Sequence, residues 1–351
     1  MHITALAGGV GGARFLRGLL AHIERSPELT GSTVTVIGNT GDDITLFGLR
    51  VCPDLDTVLY TLGGGVNEGQ GWGRQDETHA VQGELAAYGV QPQWFGLGDR
   101  DVGTHVARSM WLGQGLSLSE VTARLAARWG LPDLGVTLLP MTDAPVETHV
   151  VIDDARETWD TSDTDNSDAA DSAGAQDGGG GERAVHFQEW WVRLRAAVPA
   201  RRFVVAGMDR ATPAPGVLDA IRTADLVLLP PSNPVVSIGI ILGVPGVRDA
   251  LRGSRAPVVG ISPLIAGRPV RGHADACLEA IGVASTSEGV AGLYEDFLDG
   301  WLVSDDDAGA PHAGRLVVEA RPLLMSSIEA AADIAGAALD LGMRLGTTVR
   351  A

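Results

Sequence analysis

Short apolar runs that each give way to a polar or glycine-rich loop, and then to a helical pattern, set the limits on this fold. Ile3 to Ala7 is the first such run. Gly8-Gly9-Val10-Gly11-Gly12-Ala13-Arg14 follows it, and Phe15, Leu16, Leu19, Leu20 and Ile23 then recur at helical spacing. Val34 to Ile37, Val136 to Leu139, Ala224 to Leu229, Val258 to Ile261 and Val317-Val318 read as further strands, as does Gln93 to Leu97. Helices are expected from Asp54 to Leu62 with Asp54 or Asp56 as cap, from Glu77 to Tyr88, and from Ile328 to Leu341. Ser117 and Glu120 have capping-box spacing for a helix running to Trp129. Buried strands alternating with helices imply a mainly parallel sheet covered on both faces. The expectation is an α/β, Rossmann-like fold with a smaller inserted subdomain, residues 1–351 forming one domain.

Sheets of this kind bind ligands beyond the carboxyl ends of their strands, at a switch point. The loops Gly8–Gly12, Asn39–Asp43, Asp99–Arg100 and Ser232–Asn233 all follow strands and are expected to converge on one crevice. The stretch from Asn39 to Thr57 places Asp42, Asp43, Asp54 and Asp56 within fifteen residues. Carboxylates that close raise one another's pKa unless something positive lies between them, and hard oxygen ligands suit Mg²⁺ or Ca²⁺. The same residues also suit ordinary turns and helix caps.

The glycines after the first strand fit the geometry in which backbone N–H groups and a helix N-terminus meet an anion. Gly9 and Gly11 match a dinucleotide fingerprint, but Arg14 stands where its third small residue belongs, and the Lys-Ser/Thr of a P-loop is missing. A plain tight turn is the alternative. Trp72, between glycines, offers a flat face to an aromatic ring or plugs a core edge. Arg100 can clamp a phosphate or pair with Asp99 or Asp101. Ser232, Asn233 and Ser237 provide a second anion site or routine turn chemistry. His105, alone on a helix, reads as structural.

Net charge is −18 and every basic residue is Arg, which argues against nucleic-acid and anionic-membrane partners. Much of the acidity lies between Asp153 and Glu182, a Ser/Gly-rich run almost free of large apolar residues and read as a disordered insertion. Cys52 and Cys277 show no metal-binding or disulfide spacing and fit a reducing cytoplasm. No secretory signal is visible. The longest apolar stretch, Val235 to Val247, is interrupted by Pro245 and is shorter than the roughly 20 residues a spanning helix needs.

GGVGGAR (Gly8 to Arg14), NTGDD (Asn39 to Asp43), CPDLDT (Cys52 to Thr57), LGDRD (Leu97 to Asp101), LLPMTD (Leu138 to Asp143) and PPSNPVVSIG (Pro230 to Gly239) occur in this order over most of the chain. Together they resemble the 2-phospho-L-lactate transferase family of coenzyme F-420 biosynthesis. The GWG segment and GGVGGAR look most like its actinobacterial branch, of phosphoenolpyruvate transferase type. The insertion departs from the family pattern.

The resemblance implies transfer of a phosphoenolpyruvyl or 2-phospho-L-lactyl group from its guanosine diphosphate conjugate to the deazaflavin Fo, with a divalent metal, Mg²⁺ by expectation, and release of GMP. It implies a cytoplasmic homodimer with these small molecules as partners. Asp42, Asp43, Asp54 and Asp56 are then expected to hold the metal and the acceptor hydroxyl, with Asp42, Asp43 or Asp56 close to the chemistry. Arg100 and the amides of Gly9, Gly11 and Gly12 would hold phosphate or ribityl oxygens. Asn39 would belong to the same loop site, Ser232 and Asn233 would hold nucleotide phosphates, and Trp72 would border the deazaflavin. The competing readings are a non-catalytic nucleotide-sugar-binding regulator on the same fold, separable by Fo binding, and a nicotinamide-dependent oxidoreductase, which Arg14 disfavours.

Overall fold

The computed structural model describes residues 1–153, 181–309 and 314–349. In chain order it begins with β1 (His2–Ala7), α1 (Gly9–Arg25), β2 (Thr33–Gly38), β3 (Ile44–Leu46), β4 (Leu49–Val51) and α2 (Pro53–Leu62). Next come α3 (Ala80–Ala87), α4 (Asp99–Gly113), α5 (Leu118–Arg128), β5 (Val136–Pro140), β6 (Glu147–Asp153), β7 (Glu182–His186) and β8 (Ala200–Ala206). After these lie α6 (Val217–Arg222), β9 (Leu226–Leu229), α7 (Gly239–Gly243), α8 (Val247–Arg252), β10 (Val258–Ile261), β11 (Leu264–Ile265) and β12 (Arg268–Pro269). The chain closes with α9 (Ala274–Ala280), α10 (Ser287–Gly292), β13 (Gly300–Val303), β14 (Val317–Ala320) and α11 (Ile328–Val349).

Seven strands form one sheet in the order β14-β13-β10-β9-β1-β2-β5, and each neighbouring pair is parallel. Alternate residues of a strand point to opposite faces, so each strand feeds two cores. Ile3, Ala5, Leu226 and Leu228 pack with α1, α2, α5 and α11, whereas Leu6, Val227 and Leu229 pack with α6, α7, α8 and α10. Burial on both faces is why these strands read as continuous apolar runs. Sheet order reverses between β1 and β9, since β2 and β5 extend one way from β1 while β9, β10, β13 and β14 extend the other. That reversal places the ends of β1 and β9 side by side, opening a crevice above them.

The smaller inserted unit is the antiparallel sheet β7-β6-β8, whose core of Val150, Ile152, Val185, Phe187 and Trp190 also takes in Val236 and Cys277. Asp153 and Glu182, expected as the ends of the acidic insertion, are register partners in the β6–β7 ladder. Residues 154–180 of that segment lie outside the described residues.

Two local expectations are corrected. Gln93 to Leu97 forms no strand; Phe95 and Leu97, with half-buried Trp94, fill a small core with Ile44, Leu46 and Val51 of the β3–β4 hairpin. Side-chain packing holds that stretch without a neighbouring backbone ladder. The cap of α2 is Cys52, with Pro53 in the first turn and no side-chain cap hydrogen bond; Asp54 and Asp56 are inside the helix. The capping box of Ser117 and Glu120 is present as expected. Among the described residues no helix is long and apolar enough to cross a membrane.

Candidate active site

A cavity of about 510 Å³ sits over the switch point. Its walls include Gly8, Gly9, Val10 and Gly11 after β1, Asp42 after β2, Asp54 and Asp56 of α2, and Ser232 and Asn233 after β9. Three of the four expected loops therefore meet there. The approach between β1 and β9 is close enough to require glycine: a Cβ on Gly11 would lie 2.2 Å from the Pro231 carbonyl oxygen. Ser232 fastens the two loops, accepting from the Gly8 N–H at 3.1 Å and donating to the Gly8 carbonyl at 2.8 Å. Helix α1 has no acidic residue in its first turn, so its N-terminal partial charge stays available at the cavity wall.

The four aspartates separate into three environments. Asp42 and Asp54 face the cavity and both accept from Asn39 Nδ2, at 3.3 and 2.9 Å. That nitrogen also reaches the Val236 carbonyl at 3.2 Å, so three acceptors share two hydrogens. Asn39 stands behind the pair, fixed by the Gly41 N–H donating to its Oδ1 at 2.9 Å. Burial and then the neighbouring Asp54 push the Asp42 carboxyl well up. Burial pushes Asp54 up to about 6, against the favourable Asn39 and Gly9 donors.

Asp43 is turned away from the cavity. It accepts from Cys52 Sγ at 3.0 Å and lies 3.4 Å from Arg50 Nη2, and burial pushes it up to about 7. Asp56 is ion-paired to the fully buried Arg108.

Asp56 belongs to a second buried group with Asp101 and His105, whose ligand atoms lie within 4.8 Å of one another. Arg108 Nη1 approaches His105 Nδ1 at 3.0 Å. A guanidinium only donates, so Nδ1 accepts and the ring hydrogen lies on Nε2, 3.4 Å from Asp101 Oδ1. Tyr60 donates to the same Asp101 at 2.6 Å. Burial would raise Asp101, but His105, Tyr60 and Arg108 together hold it below the usual carboxylate range. In this tautomer neither imidazole nitrogen has a lone pair free for a metal.

The Asp42–Asp54 pair fits a hard divalent cation better. Its donors are carboxylate oxygens, its one amide donor is overcommitted, and burial penalises its charge, a penalty that a cation removes.

Other expected residues divide as follows. Trp72, 40% exposed, lines the cavity. Gly12 is buried beneath Ser232. Arg100 is exposed on the first turn of α4 and lies outside the cavity lining; its backbone N–H donates to Glu77. Asp99 accepts from the N–H groups of Ala80 and Val81 at the start of α3, which is a structural role. Sequence reading assigned no site role to Arg14 and Asp101 and did not single out Tyr60, Arg271, Phe187 and Trp191, all of which line the cavity. It set His105 aside as structural, although the i,i+4 spacing of Asp101 and His105 on α4 was a usable signal.

Residues 3–320 match the family described as 2-phospho-L-lactate transferase CofD. The chain belongs to the 2-phospho-L-lactate transferase family. It is a transferase. It is 57% identical over 348 residues to a phosphoenolpyruvate transferase of Thermobifida fusca, covering 98% of this chain and 99% of the relative. A phosphoenolpyruvate transferase of Kitasatospora aureofaciens is 54% identical over 345 residues, covering 97% and 98%. Among solved structures, a UPF0052-family protein of Bacillus halodurans superposes with a TM-score of 0.56 at 16% identity, covering 96% of this chain and 98% of that one. That likeness extends to the fold.

Proposed function

We propose that this member of the family moves a phosphoenolpyruvyl group from enolpyruvyl-diphosphoguanosine to the ribityl hydroxyl of Fo, in coenzyme F-420 biosynthesis. The products are the dehydro form of coenzyme F-420-0 and GMP. The observation that carries the reading is the buried Asp42–Asp54 pair facing the same cavity as the α1 N-terminus and the Ser232–Asn233 loop. Phosphoenolpyruvyl is preferred over 2-phospho-L-lactyl because the near relatives are named phosphoenolpyruvate transferases.

The hydroxyl oxygen attacks the distal phosphorus, the bridging P–O bond breaks, and its electron pair leaves with GMP. Asp42 and Asp54 are the residues that would hold Mg²⁺, which when bound supplies charge neutralisation to the diphosphate. The α1 N-terminus, by its partial positive charge, and the polar groups of Ser232 and Asn233 orient phosphate oxygens. Asp56 has one oxygen held by Arg108 and the other, Oδ2, without a partner, and it takes the hydroxyl proton. Trp72, Phe187 and Trp191, all in the cavity lining, border the planar deazaflavin. Asp43 and Asn39 position the metal-binding loop from behind. Arg100 lies outside the cavity and has no part in this arrangement.

The two cysteines are free and buried, in keeping with the expected cytoplasmic setting. The direct test incubates the protein with Fo, Mg²⁺ and either donor. One GMP released per Fo consumed, with the enolpyruvyl donor preferred, is the expected result. Absence of Fo-dependent GMP release with both donors would refute the reading.

A further inference from the structure

The cavity wall carries four carboxylates, those of Asp42, Asp54, Asp56 and Asp101, and two guanidinium groups, those of Arg14 and Arg271. The two arginines come from distant parts of the chain. Arg14 lies on α1 one turn beyond Val10 and Gly11, and Arg271 follows β12. They meet beside Gly71, where φ is 74° and a Cβ would stand 3.0 Å from Arg271 Nη1 and 3.3 Å from Arg14 Nη2. A side chain at residue 71 would wedge into the space beside both groups.

Like charges brought together in this way repel, and burial followed by the Arg14 charge lowers the Arg271 pKa. Acids are plentiful in a chain of net charge −18, yet among the described residues no acid is one of the groups that shift Arg271. Arg14 makes no hydrogen bond or ion pair among the described residues. Glu68, whose carboxylate it influences, is bonded by both terminal nitrogens of Arg17. Arg271 donates to the Gln70 carbonyl and has no acid partner among the described residues. Other arginines of the chain are matched, as in Arg25–Asp333 and Arg248–Asp296. Two unmatched planar forks on a cavity wall form a receptor for an oxyanion.

Resting on the transferase reading above, we propose that Arg14 and Arg271 bind the carboxylate of the transferred three-carbon group and select donors that carry an acid there. The diphosphate is served by the Asp42–Asp54 position and the two loop ends. Arg14 stands one helical turn further along α1, about 5 Å, a span that a carboxylate attached through a phosphate ester reaches.

The test uses Arg14→Gln, Arg271→Gln and the double variant, with Arg14→Lys as a charge-retaining control. Donor KM and kcat, the GDP Kd and the Fo Kd are measured on each. Donor KM is expected to rise about tenfold or more in the double variant, while kcat at saturation and the GDP and Fo affinities stay within about twofold. Arg14→Lys should recover part of the loss, since charge persists without the fork. A parallel loss of GDP affinity would overturn the proposal and assign the pair to the diphosphate. An unchanged donor KM would also overturn it. Intact Fo binding in the same samples excludes misfolding as the cause. Wild-type protein that binds neither Fo nor GDP would instead remove the transferase reading, and this proposal with it.

Discussion

At the residue scale, the account turns on where Asp54 and Asp42 put their charge. Asp54 is pushed up to about 6 by burial, above the ordinary Asp value of 3.8. A carboxyl raised by folding contributes stability that is present below the unfolded pKa and lost as pH rises through the folded one. The metal-free protein should therefore lose stability from this group between about pH 4 and 6. Metal binding needs the ionised carboxylate, so Mg²⁺ should bind more tightly and raise Tm more at pH 7 than at pH 5. Asp54→Asn should abolish that difference and lower kcat by about 10²–10³-fold, as loss of a principal charge-stabilising group does. Thermal melts with and without Mg²⁺ at both pH values check the first part, and steady-state kinetics check the second. An Asp54→Asn protein with an unchanged Mg²⁺-induced Tm increment would remove this residue from the metal set.

At the element scale, the crevice depends on α1 lying against the loop after β9. Gly11→Ala would place a Cβ 2.2 Å from the Pro231 carbonyl oxygen, a backbone atom that cannot rotate away. Overpacking of this kind costs about 1–3 kcal/mol. The variant should show a lower Tm and a higher donor KM, because both the helix N-terminus and the Ser232 loop must shift. Equal Tm and KM in variant and wild type would show that the loops are not tightly coupled. Much of this element-level picture was legible in the chain. Strands buried on both faces announce themselves as apolar runs, and loops at their carboxyl ends converge by the rules of parallel sheets. The four-residue β13, Gly300–Val303, was too short to give a periodicity, and Gln93–Leu97 had strand composition but no neighbour to pair with.

At the scale of the whole molecule, the candidate site is assembled from segments more than 200 residues apart, Gly8 to Gly11 meeting Ser232 and Arg271. The aspartate-rich and glycine-rich stretches could be read from sequence because each concentrates unusual residues locally. Arg271, Phe187 and Trp191 could not, since each lies in an unremarkable stretch and gains meaning only through contacts made on folding. The Asp42–Asp43–Asp54–Asp56 grouping was legible as a cluster, but its division by Arg50, Arg108 and Asn39 was not. The acidic segment joins two strands whose ends, Asp153 and Glu182, are already paired. Replacing 155–180 with a short turn should leave Tm within about 2 °C and donor kinetics within about twofold, because the ladder closes without it. A collapse of either quantity would show that the segment contributes to the fold or the site.

A titration of the purified protein with Fo, followed by deazaflavin fluorescence, with and without Mg²⁺ and GDP, asks whether acceptor, nucleotide and metal occupy the same cavity. The account predicts saturable binding that tightens or loosens when GDP and Mg²⁺ are added, because acceptor, nucleotide and metal share one cavity. No binding under any of these conditions would contradict it and remove Fo as the acceptor.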